Sequence, residues 1–246
     1  MFWKKEDNPK ITFRAREDLE GIFPKPQRAS KFMPDWFKKL NKDIADTGPA
    51  FASTVKRCVP VLDAIRNGYI IPLWADLHVK VSDTEDEEGN TQPHIWFQFP
   101  DTFGFQEILG GHGWEQVGDG CPLDKFEYGK ILMKFVNPWV IETSPGYSVL
   151  FKTPPHQYSP IHIMEGIVDT DTYKRQVNFP YIWTAKERGE WVIPQGTPLI
   201  HVVPFKREKI DVEYDTWDHE EMTRIDRMHN TTFKDRYKKL WWSKRK

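Results

Sequence analysis

The sequence predicts a mainly β fold: a jelly-roll-like sandwich or β-clip-like barrel, with short N-terminal helices and one long C-terminal helix. Three observations carry this. Residues 73–81 and 94–99 alternate strictly between apolar and polar side chains, the period of a strand with one buried face. Nineteen prolines and fifteen glycines among 246 residues cut the chain into short segments joined by turns. Hydrophobic residues make up 39% and aromatic residues 14%, enough to bury a large core and to exclude a disordered chain.

Taken in order, Lys10 to Arg14 alternates as a first strand, and residues 19–34, rich in proline, read as loop. Pro34 opens a short helix through Leu40, since proline suits a first helical turn. A second short helix runs from Pro60 to Asn67 and stops at Gly68. Leu73, Ala75, Leu77, Val79 and Val81 form the apolar face of the clearest strand, and Ile95, Phe97 and Phe99 that of the next. An acidic turn, 83–90, joins them as a hairpin. Residues 101–121 hold six glycines and read as loop. Further strands are expected at 130–136, 139–142, 146–152, 161–168, 178–184, 190–193, 198–205 and 209–214. Thr216 is placed to cap a helix over 217–240, whose apolar stripe is Met222, Ile225, Phe233, Tyr237 and Leu240. The expected organisation is one β-rich domain over 1–214, with its helical segments at about 33–67, and a basic amphipathic helix over 215–246.

The net charge of −1 gives no electrostatic reason to expect nucleic acid or a membrane as partner. The two cysteines, Cys58 and Cys121, fit a reducing compartment, and the N-terminus leads into no apolar run of the signal-peptide kind. No stretch reaches the roughly 18 apolar residues of a membrane-spanning helix.

The polar side of the hairpin gathers Trp74, Asp76, His78, Lys80, His94, Trp96 and Gln98. Trp74, Asp76, His78, His94 and Trp96 are the candidate ligand-binding residues; the alternative is a plain solvated sheet face. The histidines show no HxH, no HxxxH with an accompanying glutamate, and no His-x-Asp with a distant partner, so neither a metal nor another cofactor is expected. The glycine loop fits neither the Walker A nor the dinucleotide pattern, there is no GxSxG, and the acidic turn departs from an EF-hand loop. At the basic end, Trp241, Trp242, Lys244 and Arg245 are the candidate partner-binding residues, since aromatics beside basic side chains make common anchors.

Several segments together resemble an uncharacterised family from T4-like phages of marine cyanobacteria, with bacterial relatives. They are Pro34 to Leu40, Lys56-Arg57-Cys58, Gly68 to Pro72, Asn137-Pro138-Trp139, Pro145 to Phe151, Val168-Asp169-Thr170-Asp171, Val177 to Pro180 and Pro198 to Glu208. The resemblance implies a phage source and a location in the host cytoplasm or the virion; it brings no activity. A second, fainter similarity joins Pro145-Gly146-Tyr147 and Ile193 to Ile200 to the strand–turn cadence of trimeric dUTPases and dCTP deaminases. The aspartate that family carries just before the Gly-Tyr is missing, as are its serine phosphate motif and its C-terminal glycine-rich motif. The functional expectation is a non-enzymatic phage accessory or virion-associated protein that acts by binding, through a protein partner or self-association, with a small-molecule ligand as a further possibility. The alternatives are a metal-dependent enzyme of double-stranded β-helix type, cupin or 2-oxoglutarate oxygenase-like, and a nucleotide-handling enzyme of dUTPase-like fold.

Overall fold

The computed structural model describes residues 8–44, 53–85, 88–99, 109–113, 116, 131–185, 187–232 and 235–243. The chain gathers into two compact units, one formed by Met1–Phe32 and Asn67–Arg207, the other by Met33–Arg66 and Glu208–Lys246.

The first unit holds all the described strands, with two short 3-10 turns at Glu17–Leu19 and Ala29–Phe32. Its strands are β1 (Ile11–Arg14), β2 (Gln27–Arg28), β3 (Tyr69–Pro72), β4 (Leu77–Glu85), β5 (Thr91–Gln98), β6 (Leu109–Gly113), β7 (Ile131–Phe135), β8 (Val140–Thr143), β9 (Tyr147–Lys152), β10 (Ile161–Ile163), β11 (Gly166–Val168), β12 (Phe179–Trp183), β13 (Gly189–Ile193) and β14 (Pro198–Lys206). All described pairings are antiparallel and make four sheets, ordered β1-β8, β10-β12-β7-β6, β11-β9-β14-β3-β2 and β13-β4-β5. With 35% strand against 22% helix and no closed barrel, the fold is mainly β and compatible with a sandwich.

Alternation explains the layers. Leu77, Val79 and Val81 of β4 are buried, while His78 and Lys80 between them are exposed. Phe97 of β5 meets Tyr181 and Trp183 of β12 edge-on, with centroids 5.4 and 6.2 Å apart, so the β13-β4-β5 sheet faces the β10-β12-β7-β6 sheet. Phe151 of β9 meets Phe179 of β12 at 5.2 Å and brings the five-stranded sheet into the same core.

Several expectations are corrected. Leu73 to Asp76 lies outside β4: Leu73 N donates to Thr197 O, and Gly196 N donates to Leu73 O, so a turn rather than a strand partners it. Part of the glycine-rich segment 101–121 is strand after all, β6, whose main chain pairs with β7. The single strand expected at 161–168 is two, because β10 pairs with β12 and β11 with β9; the chain changes sheets at 164–165. Two strands, β2 and β3, escaped the sequence reading. Residues 209–214 carry strand alternation and join no sheet.

The second unit holds four helices: α1 (Asp35–Lys39), α2 (Val59–Arg66), α3 (His219–Thr231) and α4 (Arg236–Leu240). The long C-terminal helix is thus two. Its cap is Asp218 rather than Thr216, accepting from the main-chain N–H of Glu220 and Glu221 at 2.8 and 3.2 Å. Asp235, in the left-handed region at φ 56°, begins α4. The stripe reaches only half-burial: Met222, Ile225 and Leu240 are partly covered, Tyr237 is exposed, and Phe233 lies outside the described residues. Polar pairs join the two chain segments of this unit. Arg57 holds Asp43 through two nitrogens, each 2.9 Å away, and reaches Asp235 at 3.2 Å. Trp242 Nε1 donates to Asp63 at 2.9 Å. These contacts group residues 33–66 with the C-terminal segment, a different division from 1–214 and 215–246.

Candidate binding groove

The hairpin face forms only in part. In the β4–β5 register His78 lies opposite Gln98, Lys80 opposite Trp96 and Ser82 opposite His94. His94 and Trp96 are in ring contact, centroids 4.4 Å apart, and Lys80 pairs with Glu190 of β13 at 3.2 Å. His78 and His94 sit four steps of the ladder apart, about 13 Å at the usual rise per residue, too far to share one metal ion. The other two members leave the face. Trp74 is 1% exposed and packs on Phe99 and Phe135, at 6.2 and 5.8 Å. Asp76 accepts from Gln195 N at 2.7 Å, while Gln195 Nε2 donates to Trp74 O at 2.8 Å. Strand alternation cannot continue through 73–76, because the Pro194–Thr197 turn takes the main-chain groups there.

At the C-terminus Trp242 is engaged with Asp63, and Trp241 stacks on His229 with centroids 5.4 Å apart. Trp242 is thus held within the second unit, while Trp241 keeps 43% of its surface exposed. Lys244 and Arg245 lie outside the described residues.

Three chain segments, around Gly146–Ser148, Asp169–Asp171 and Arg207, meet in a polar latch of the first unit. Arg207 lies just beyond β14, and one of its guanidinium nitrogens contacts Asp171 Oδ1 at 2.9 Å, Ser148 Oγ at 2.9 Å and Asp169 Oδ1 at 3.1 Å. The other contacts Asp171 Oδ2, which also accepts from Gly146 N at 2.8 Å. Ser148 Oγ donates to Asp169 at 2.6 Å, and Thr143 and Thr170 join their hydroxyls at 2.7 Å. Hydrogen bonds from Arg207 and Gly146 hold the Asp171 carboxyl at a pKa of about 2. Every charged group here has a partner, so the latch fastens three segments together rather than offering groups to a ligand.

His201, buried in β14, is a different case. Its Nε2 lies 2.6 Å from Asn67 O and must therefore carry the proton, leaving Nδ1 buried with no partner among the described residues. Burial lowers the imidazole pKa, the Asn67 hydrogen bond opposes this, and Lys152 adds to the lowering. Tyr181 Oη, Trp183 Nε1 and Trp139 Nε1 are likewise buried without partners. Among the described residues no three His, Cys, Asp or Glu side chains converge as a metal site would require.

Among the described residues there are three open concavities, the smallest of about 350 Å³ beside β1 and lined by residues including Arg14, Arg16, Glu17 and Trp139. In the second unit a cleft of about 630 Å³ is lined by residues including Arg57, Cys58, His229, Asp235, Tyr237 and Lys238. Its central charge, Arg57, is already paired with Asp43 and Asp235. In the first unit a groove of about 460 Å³ runs beside β13 and the approach to β10, lined by Tyr158, Pro160, Ala185, Trp191, Ile193 and Pro194 among others. Among the described residues β13 pairs only with β4 and presents an open edge, whereas the outer N–H groups of β10, those of Ile161 and Ile163, already donate to Ser159 Oγ and Thr153 Oγ1 at 3.1 and 2.9 Å. Trp191 is fixed there by Trp183 behind it, at 5.4 Å. Tyr158 is almost wholly exposed. This groove was not legible in the sequence. Trp191 and Ile193 follow strand alternation like any core pair, and Tyr158 stands in a loop with no distinguishing pattern.

Compared with known proteins, the chain matches no family model and no curated protein.

Proposed function

We propose that this protein acts by binding, as a non-enzymatic phage accessory or virion-associated protein, and that the groove beside β13 receives an extended polypeptide segment. The observation that carries the reading is the pairing of an apolar, aromatic-lined groove with the open edge of β13. An open edge offers unpaired main-chain N–H and C=O groups for strand addition, and flanking pockets take alternate side chains. The segments similar to the phage family support the source. No observation on the described residues favours either enzymatic alternative.

The test is a photo-reactive amino acid placed at Tyr158, an exposed position, in infected cells, together with mass spectrometry of purified virions. The expected result is a discrete polypeptide adduct that Ile193→Asp abolishes, and stoichiometric recovery of the protein with virions or with the adduct partner. No adduct at Tyr158 and no recovery with any polypeptide would overturn the reading.

A further inference from the structure

The segment between β14 and α3 is chemically a strand without a sheet. From Lys209 to Asp215 apolar and charged residues alternate: Ile210, Val212 and Tyr214 against Lys209, Asp211, Glu213 and Asp215. Lys209 and Asp211 join their charges at 2.8 Å, as residues two apart do on one side of an extended chain. Yet among the described residues the main chain of 209–217 has no main-chain hydrogen-bond partner. Its apolar residues stand in solvent: Ile210 is 84% exposed, Val212 73%, Tyr214 94% and Trp217 75%. Isolated exposed apolar residues are ordinary, but four within eight positions, three of them (Ile210, Val212 and Tyr214) spaced for one face of a strand, are not.

The same chain carries the complement, the apolar groove beside the open edge of β13. We infer that residues 209–217 of one copy add as a strand in this groove of a second copy, giving a reciprocally exchanged dimer. The inference rests on the binding reading and names its partner. A second copy is the occupant to choose because each molecule supplies both the strand and the groove, so one two-fold operation satisfies both, the commonest symmetry of soluble oligomers. The area also suffices. Tyr214 brings about 150–250 Å² per arm, and exchange doubles this. With Ile210, Val212 and the main chain added, the total reaches the roughly 1,200 Å² at which stable interfaces begin.

The test uses the full chain in sedimentation velocity and light scattering across about 1–100 μM. The unaltered protein is expected to run as a dimer, and Val212→Asp with Tyr214→Asp to raise the dissociation constant about a hundredfold or more, since loss of two central anchors has effects of that order. Both positions are exposed, so the variant keeps its fold, which circular dichroism checks. Cross-linking of Val192→Cys with Val212→Cys in mixed isotope-labelled and unlabelled protein, with Cys58→Ser and Cys121→Ser, distinguishes exchange between chains from closure within one. Adducts of mixed label are expected. A monomer at 100 μM, a dimer indifferent to the arm substitutions, or adducts within one chain only would each overturn the inference. A monomer whose Tyr158 position still cross-links to another polypeptide would leave the binding reading standing while this one falls.

Discussion

Gly68, the residue that follows Asn67 after α2, is the position where one methyl group should do the most damage. Its φ is +67°, a region where a residue with a side chain costs about 1–2 kcal/mol. An alanine Cβ there would also lie 2.1 Å from Val202 O and 3.2 Å from the carbon of the same carbonyl. That carbonyl belongs to β14, which is held on both sides, by β3 and by β9, so it cannot move aside alone. Relieving such an overlap by backbone shifts costs about 1–3 kcal/mol. Together Gly68→Ala should lose about 2–5 kcal/mol, or about 4–20 °C in melting temperature at roughly 2–4 °C per kcal/mol for a chain of this size. Gly21→Ala is the control: φ is +83° there, and no atom lies within 4 Å of the added Cβ, so only the conformational cost of about 1–2 kcal/mol remains. Urea unfolding followed by tryptophan fluorescence measures both. Equal losses in the two variants would refute the steric argument, and with it the close crossing of β14 over the start of β3.

Other expectations follow from the same structure. Trp74→Ala should cost about 3–5 kcal/mol as a core truncation, whereas Trp96→Ala, at a position 57% exposed, should change stability by no more than about 0.5 kcal/mol; comparable losses would return Trp74 to the surface. The Asp171 carboxyl is depressed to about 2, so the stability it contributes is fully present above the unfolded carboxylate range and is lost as pH falls through that folded value. The gap in denaturation midpoint between the unaltered protein and Asp171→Asn should therefore be wide at pH 7 and close towards pH 2; a constant gap would show that the ion pair contributes nothing. The His201 pKa is lowered, so the unfolded chain binds the proton more readily, and stability should fall as pH drops below about 6.5. His201→Gln should remove that part of the slope, and an unchanged slope between pH 7 and pH 5 would contradict the neutral, Nε2-protonated ring.

The sequence by itself determined the mainly β class, the two short helices before the core and most of the strands. Those features are written in local period: Leu77, Val79 and Val81 must face one way whatever lies opposite. Tertiary structure alone decided the rest, because alternation gives the face of a residue and not its neighbour. Trp74 continues the period of β4 but loses its strand partner to the Pro194–Thr197 turn, which competes for the same main-chain groups. Ile210, Val212 and Tyr214 have the same period as a paired strand, and only the tertiary structure shows that no strand of the described chain takes them. The latch of Arg207, Asp171 and Ser148 joins residues up to 59 positions apart, and the groove joins Tyr158 to Trp191. Such sites are sums of contacts distant in sequence, and no window of the sequence contains them.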